Sequence, residues 1–428
     1  MKKPFHILVF PGGTEIGLEI QKALAPCKEV RLFSAGSDVS NHAPFVFARH
    51  FVLPSIHEPG WIEALNRVVE AESIDYIFPA FDDVIVALAQ HAGAIKAGIV
   101  SSPLETCTVT RSKSETYRVL DGVVPVPERF RCAADVSSYP VFVKPDRGEG
   151  SRDTHLVHCE SQLLALLQAD PERIALEYLP GEEYTVDCFS DRDAGLLFCG
   201  ARQRVRTKSG ISMSSEVAPA QETFADYAAR IAERLAFHGA WFFQVKRDRH
   251  GVLKLLEVAP RIAGTMALHR VQGVNFPLLS IYEQERFPLS LLVNRGVVSV
   301  DRALVNRYRH QINFGTVYVD LDDTLILHGK VNVQLAAFLY QCLNQGKKIV
   351  LLTRHAGDLD ATLARFRLAH LFDAVVHVGK DDTKARYITE PDAIFIDDSF
   401  SERKAVSDRL GISTFDCSML ELLMDERI

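Results

Sequence analysis

The stretch VYVDLDDTLI, residues 317 to 326, runs an apolar strand pattern into Asp320 and places a second carboxylate, Asp322, two positions later. A carboxylate at a strand end can attack a phosphoryl group and become an aspartyl phosphate, while its neighbour protonates the leaving oxygen and later activates water. Downstream, IVLLTRH ends a strand at Thr353, DDTKARYI supplies Lys384, and AIFIDDSFSERKA closes another strand on Asp397 and Asp398. A hydroxyl, a lysine and an acidic pair would bind phosphate, neutralise its charge and hold Mg²⁺. An isolated Asp-Asp is more often a surface acidic turn, so the reading rests on the joint spacing of all four segments.

Three earlier segments suit a nucleotide. In PVFVKPDRGEGSRDT, residues 140 to 154, an apolar strand delivers Lys144 to a loop in which Gly148, Gly150 and Ser151 offer backbone N–H groups to phosphate oxygens. In IALEYLPGEEYTVDCF, residues 174 to 189, a strand ends in Glu177, Tyr178 and Leu179, turns at Pro180-Gly181, and resumes with period-two alternation. Such a hinge can hold an adenine by backbone groups and a ribose by a carboxylate. In AWFFQVKRDRHGVLKLLEVAPRIAGT, residues 240 to 265, Gln244 and Glu257 lie on two strands joined by a turn, and Arg261 follows. Two oxygens facing one site are what Mg²⁺ on nucleotide phosphates requires.

These three motifs, in this order, resemble the ATP-grasp superfamily, nearest its carbamoyl-phosphate-synthetase-like branch, over residues 1 to about 305. The resemblance implies that Lys113 and Lys144 bind phosphate, that Glu177 and Leu179 form the adenine hinge, and that Glu183 is the ribose carboxylate. It also implies Gln244 and Glu257 as metal ligands, Arg261 as the arginine steadying the transferring phosphoryl group, and Arg202 as its helper. The reaction implied is phosphorylation of a carboxylate by ATP to an acyl phosphate, which an amine then attacks, with closure of the site excluding water. One departure is Ala259, where the family usually has Asn two residues after the second metal carboxylate. It leaves one Mg²⁺ more weakly held, or supplied with an oxygen by the substrate. Covalent nucleotidyl transfer needs Lys-x-Asp-Gly, and the nearest match, KRDRHG, misses the spacing and reads as a hairpin turn.

The four tail segments resemble the haloacid dehalogenase superfamily over residues 312 to 428, and the presence of Asp322 favours its phosphatase branch. Residues 325 to 352 and 354 to 383 leave room for only a helix and a strand each, so no large cap is expected. An open site suits a bulky substrate or one presented by a neighbouring domain.

The elements that must position these residues read as α/β and α+β. A parallel α/β (pre-ATP-grasp) domain is expected over 1–105, an ATP-grasp domain over 106–310, and a Rossmann-like haloacid dehalogenase domain without a large cap over 311–428. Residues 5 to 10 form a buried-strand pattern, and Ile16, Ile20, Ala23 and Leu24 recur at helical spacing. Helices are expected at 61 to 72 and 83 to 92, and tail strands at 316 to 320, 348 to 353, 374 to 378 and 393 to 397. The turn GGTEIG lacks both the Lys-Ser/Thr of a Walker A loop and the order G-x-G-x-x-G, which argues against nucleotide binding there.

Bulk properties narrow the partners. With 428 residues, 47% hydrophobic and 24% charged, the chain has ordinary globular composition and length for several cores. A net charge of −7 gives no footprint for nucleic acid or an anionic membrane, which leaves small-molecule carboxylate and amine substrates and a phosphorylated substrate for the tail. No apolar run approaches the ~20 residues of a membrane span. Eight scattered cysteines without C-x-x-C read as reduced, buried thiols, and the six-residue apolar run after MKKP reads as a first strand, so the chain is expected in the cytoplasm; a homodimer is compatible with all of this. His269 and Arg270 are candidates for the substrate pocket, and Arg202, Arg204 and Arg206 alternate on a strand, facing either an anion or solvent. The expectation is a bifunctional ATP-grasp ligase and Mg²⁺-dependent phosphatase. Its rivals are a regulatory or degenerate ATP-binding module with an attached phosphatase and, opposed by the charge, a nucleic-acid end-processing enzyme.

Overall fold

An apolar run buried on both faces makes β1 (Phe5–Phe10) the centre of a parallel sheet. Our computed structural model describes residues 3–148, 150–219, 221–294, 299–305, 308, 310–379, 382–425 and 427. Following β1 come α1 (Glu15–Leu24), β2 (Val30–Gly36), β3 (His50–Val52), α2 (Trp61–Glu72), β4 (Tyr76–Pro79), α3 (Asp82–Gln90) and β5 (Gly98–Ile99). The strands pair in the order β3-β2-β1-β4-β5. Alternation divides β1 between two cores. Ile7 and Val9 pack with Ile20 and Leu24 of α1, while Leu8 and Phe10 pack with Trp61 and Leu65 of α2. Thr14 caps α1 by accepting from Gly17 N at 3.0 Å, and its hydroxyl donates to Ala80 O at 2.8 Å, tying this turn to the end of β4.

Two short helices, α4 (Leu104–Arg111) and α5 (Lys113–Leu120), lead into an antiparallel sheet. It comprises β6 (Arg129–Phe130), β7 (Val141–Pro145), β8 (His155–Val157) and, after α6 (Glu160–Ala169), β9 (Arg173–Glu177), in the order β6-β9-β7-β8. A second antiparallel sheet contains β10 (Glu183–Asp191), β11 (Gly195–Lys208), β12 (Ile211–Val217), then α7 (Glu222–Arg234), β13 (Gly239–Arg247) and β14 (Leu253–Ala259). After α8 (Ala267–Arg270) and α9 (Phe276–Gln284), β15 (Ser299–Asp301) completes the order β14-β13-β10-β11-β12-β15.

The two faces of this larger sheet differ. Tyr184, Val186, Cys188, Trp241 and Phe243 pack under Phe224, Tyr227 and Ile231 of α7. The opposite face is polar at Glu183, Thr185 and Asp187 but apolar at Phe189, Ala240 and Phe242, which share a core with Ile7, Val9 and Ile20 of the parallel layer. Residues up to Leu304 accordingly form one compact unit, and Val305–Arg427 form a second.

The second unit contains β16 (Thr316–Val319), a hairpin of β17 (Ile326–Leu327) and β18 (Lys330–Val331), α10 (Val333–Asn344), β19 (Lys348–Thr353), α11 (Leu359–Arg365), β20 (Ala374–His377), β21 (Ala393–Ile396), α12 (Phe400–Leu410) and β22 (Ser413–Phe415). Its five parallel strands run β20-β19-β16-β21-β22, with separate apolar clusters on the two faces. The β17–β18 hairpin is an element that the segment lengths did not announce. The helix expected to reach 92 stops at Gln90, where His91 leaves helical geometry with ψ +16°. Cys132 and Cys159 are exposed, contrary to the expectation of buried thiols, because both stand beside loops at helix starts outside the packed faces. Among the described residues no helix is long and apolar enough to cross a membrane.

Trp241 is fully buried, stacks on Phe237 with ring centroids 4.0 Å apart, and donates from Nε1 to Ser190 Oγ at 2.9 Å. Trp241→Ala is expected to remove about 3–5 kcal/mol from this unit. Urea unfolding followed by circular dichroism measures it, and an unmoved transition would show that α7 does not depend on this contact.

Candidate functional site

The cross-strand register of the larger sheet assembles the first site. Thr185 pairs with Arg202 on one side and Gln244 on the other, and Gln244 pairs with Glu257. Arg202, Thr185, Gln244 and Glu257 therefore form one row across β11, β10, β13 and β14. Two residues along, on the same face, Glu183 pairs with Lys246 and lies 3.1 Å from Arg204. Gln244 and Glu257 thus present two side-chain oxygens side by side, a donor pair suited to a hard cation.

A cavity of about 170 Å³ opens over the Gln244–Glu257 end of this row. Lys113, Lys144, Gly148, Gly150, Ser151, Glu177, Leu179, Glu183, Gln244 and Glu257 all line it, so ten residues singled out in the sequence converge there. Asp146 ties the loop to α5 by accepting from Ser112 Oγ and Ser114 N, both at 2.6 Å, while Lys113 Nζ donates to Gly148 O at 2.8 Å. Gly210, with φ +73°, packs backbone to backbone on Gly150, and an added Cβ would stand 2.3 Å from Gly150 C. No residue but glycine fits that approach.

Burial drives the Lys144 pKa down to about 8, against the pull of Glu257, Glu183 and Asp146, and Nζ donates to Tyr117 Oη at 3.0 Å. Burial also lowers Lys113, with Glu257 opposing. Both ammonium groups sit where an anion would restore their charge. Glu177 also braces the sheet, since its Oε1 accepts from Glu128 N at 2.9 Å and lies 3.2 Å from Lys254. Glu177 and Leu179 flank Tyr178 on the cavity wall.

Arg261 and Arg202 line an adjoining cavity of about 650 Å³ that shares Gln244 and Glu257 with the first. Arg261 grips Asp82 through two bonds of 2.5 and 3.1 Å and lies 5.0 Å from the centre of the Phe242 ring. Burial works most strongly against the Asp82 carboxylate, but Arg261, together with Arg111 and Lys113, outweighs it and the pKa falls. Arg202, almost wholly buried, forms a two-bond pair with Asp187 at 2.7 and 3.1 Å. His269 and Arg270 do not line either cavity: His269 is buried against Gln272 and Gly200, and Arg270 pairs with Glu19. Arg206 turns away to Asp301 because the β11–β12 register breaks between Arg204 and Arg206.

Residues 169–294 match the model of a family described as ATP-grasp in the biosynthetic pathway with Ter operon. A carbamoyl phosphate synthase arginine-specific large chain from Geobacillus stearothermophilus is 27% identical over 270 residues, covering 57% of this chain. The match spans about 24% of that relative's length. An N5-carboxyaminoimidazole synthetase from Staphylococcus aureus, complexed with ADP, superposes with a TM-score of 0.57 over 68% of this chain and 81% of that one, at 17% identity. The biotin carboxylase domain dimer of 2-oxoglutarate carboxylase from Hydrogenobacter thermophilus, in complex with MgADP, ADP and bicarbonate, gives 0.54 over 68% and 71%, at 12% identity. The N-terminal unit has the ATP-grasp fold. In this ATP-grasp unit the sequence left Thr185, Asp146, Tyr117 and Asp82 unmarked. Thr185 stood within the alternation from Glu183 onward, and Tyr117 follows Lys113 by one helical turn, whereas Asp82 and Asp146 gave no local signal.

In the second unit the parallel register aligns three strand ends. Val319 pairs with Leu351 and Ile396, so Asp320, Thr353 and Asp397 emerge at one edge of the sheet. Lys384 Nζ bridges Asp320 at 2.7 Å and Asp397 at 2.6 Å, and Asp320, Asp397 and Asp398 each place an oxygen within 4.8 Å of the others. Burial pushes Asp320 up to about 6, Lys384 opposing and Asp397 adding to the rise. Burial raises Asp397 as well. For Lys384 burial is the largest influence and lowers the pKa, yet the two carboxylates together outweigh it and raise it. Asp322 is half exposed and lies 2.9 Å from His355 Nδ1, a neighbour that the sequence did not mark although it stands two residues after Thr353. Thr353 Oγ1 accepts from His355 N at 3.1 Å, and Thr324 Oγ1 accepts from Asp398 N at 2.9 Å.

Removing Lys384 leaves two buried carboxylates without a counter-charge. Lys384→Met is expected to destabilise this unit by about 3–5 kcal/mol at pH 7.5. The loss should shrink at pH 5, because carboxyls with raised pKa values take up protons as pH falls through about 6. Urea unfolding at both pH values tests this, and an equal loss at each would show that charge on the aspartates is not the cause.

Proposed function

We propose that the chain is bifunctional: an ATP-dependent carboxylate–amine ligase of the carbamoyl-phosphate-synthetase-like kind, joined to a Mg²⁺-dependent phosphatase of the haloacid dehalogenase kind. The observation that carries the ligase is the convergence of the buried Lys144, the half-buried Lys113, a glycine loop and the paired oxygens of Gln244 and Glu257 on one cavity. Lys113 and Lys144 hold phosphate oxygens, the Glu177–Leu179 segment faces adenine, and Glu183 faces the ribose. Arg261, held by Asp82, steadies the γ-phosphoryl group as it passes to the substrate carboxylate, and Arg202 assists from the adjoining cavity. Gln244 and Glu257 fit Mg²⁺, which when bound neutralises charge on the phosphates. The products of this step are ADP and an acyl phosphate, which an amine attacks to form an amide with release of inorganic phosphate.

In the tail, Asp320 is the nucleophile and Asp322 the general acid and base, with Thr353 and Lys384 on the phosphate. Asp320, Asp397 and Asp398, together with Asp322, fit a Mg²⁺ site, the first three on the clustering of their oxygens. Within the three-domain division at 105 and 310, the tail would act on a phosphorylated form of the ligase substrate or product, gaining effective concentration from the fusion. The eight unpaired cysteines agree with a cytoplasmic setting, and a homodimer agrees with the dimeric biotin carboxylase domain. A regulatory ATP-binding module is the second reading, favoured by Ala259, which packs into the apolar cluster with Ile7 and Phe242 and offers no ligand oxygen.

The deciding experiment is ADP release from Mg²⁺-ATP with pooled carboxylic acids and amines, alongside hydrolysis of p-nitrophenyl phosphate. Asp320→Asn should abolish the hydrolysis and keep ADP release, and Asp322→Asn should slow hydrolysis by about 10²- to 10⁴-fold. Glu257→Gln should do the reverse, losing ADP release alone. ATP binding with no ADP release from any pool would leave the regulatory reading in place.

Lys144 gives a pH signature. Only its ammonium form holds phosphate, so ADP affinity should fall as pH rises through about 8, by about tenfold for each further unit. Lys144→Arg keeps its charge and should flatten the profile. Calorimetric titration from pH 7 to 9.5 measures both, and a wild-type profile already flat would remove Lys144 from the phosphate site.

A further inference from the structure

Among the charged residues that line the cavity of about 650 Å³, the cations Arg152, Arg202, Arg204, Arg261 and Arg302 outnumber Glu15, Asp82 and Glu257. Three of the arginines are matched, Arg202 by Asp187, Arg204 by Glu183 and Arg261 by Asp82. Arg302 is not. Among the described residues the one side-chain hydrogen bond of Arg302 goes to Ser212 O at 3.5 Å, and Glu19, a carboxylate on which its charge acts, is already held by Arg270 at 2.6 Å. Its guanidinium lies against the bare backbone of Gly264, where a Cβ would come within 3.3 Å of Nη1.

Thr185 is the second, independent sign. The residue lines the same cavity and is 1% exposed, and its buried Oγ1 has no hydrogen-bond partner among the described residues. Buried hydroxyls find partners in folded proteins, so one without a partner in a cavity wall is a place for a ligand oxygen. The sheet order places the two signs apart. From Thr185 on β10, Gln244 and Glu257 lie toward β13 and β14, whereas Arg302, just after β15, approaches from the side of β11 and β12. The first turn of α1, at Thr14, Glu15 and Ile16, forms a further wall.

We propose that this cavity takes a substrate with two anionic groups: the carboxylate to be activated, beside Gln244, Glu257 and the Thr185 hydroxyl, and a second carboxylate or a phosphate paired with Arg302. The proposal rests on the ligase reading of the adjoining site. A doubly anionic molecule supplies the counter-charge that Arg302 lacks and the acceptor that Thr185 lacks.

Calorimetric titration of the full chain, saturated with MgADP, tests it with inorganic phosphate, succinate and acetate as probes. Phosphate or succinate should bind at least about tenfold more tightly than acetate. Arg302→Gln should erase that margin, Arg302→Lys should keep part of it, and MgADP affinity should be the same in all three proteins. Stronger phosphate points to a phosphorylated substrate and stronger succinate to a dicarboxylate. Equal probe binding in wild type and Arg302→Gln, including phosphate seated beside the nucleotide, overturns the proposal, as does a wild type that prefers neither probe to acetate. Failure of MgADP to bind the wild type would instead overturn the nucleotide site on which the proposal stands.

Discussion

The N-terminal unit depends on the register of β10 against β11 and β13. Side chains alternate along a strand, so a slip of one residue would carry Tyr184, Val186 and Cys188 out of the α7 core and put Glu183, Thr185 and Asp187 into it. Burying those polar groups among Phe224, Tyr227 and Ile231 would leave them without partners, while the aromatic core would lose its packing. Stability of one face therefore fixes the chemistry of the other. The row from Arg202 through Thr185 and Gln244 to Glu257 needs no device of its own, because the apolar face already specifies it.

Each site contains a buried lysine, and the pKa values of the two lysines move in opposite directions. Desolvation penalises the ammonium in both. Around Lys144 the carboxylates act from a distance and a neutral Tyr117 hydroxyl is the closest partner, so the pKa falls. Lys384 touches two carboxylates directly, and their attraction exceeds the same penalty. An ammonium whose charge is undercompensated gains most from an arriving phosphate. One already bridging two carboxylates holds them together and limits their repulsion. The contrast agrees with a nucleotide-binding role for the first and an organising role for the second.

Residues whose positions follow from a strand end or from period-two alternation were legible in the sequence. Lys144, Glu177, Asp320, Thr353 and Asp397 all close apolar strand runs, and their convergence needs only that those strands be neighbours. Residues placed by pairing across the fold were not. Asp82 meets Arg261, 179 positions away, and Arg302 reaches the cavity only because β15 adds to the edge of β12. The seam between the parallel layer and the larger sheet was also hidden, since Phe189, Ala240 and Phe242 look locally like any core positions. Arg204 and Arg206 were expected on one face. A break in the β11–β12 register, which composition does not announce, separates them.

That seam accounts for Ala259. Two residues after Glu257 on β14, it returns to the same face of the sheet, opposite Phe242, where the polar row has given way to the apolar cluster shared with β1 and α1. An amide at this position would have to stay hydrogen-bonded among Phe242, Ile262 and Ile7 or lose its hydration uncompensated. Arg261 reinforces the boundary by lying over the Phe242 ring while its guanidinium is fixed by Asp82 at the start of α3. The packing that joins the parallel layer to the sheet thus puts an apolar residue without a ligand oxygen at this position and anchors Arg261 beside the row. Any cation at Gln244 and Glu257 must complete its shell from phosphate, substrate or water, which ties its binding to the molecules on which the site acts.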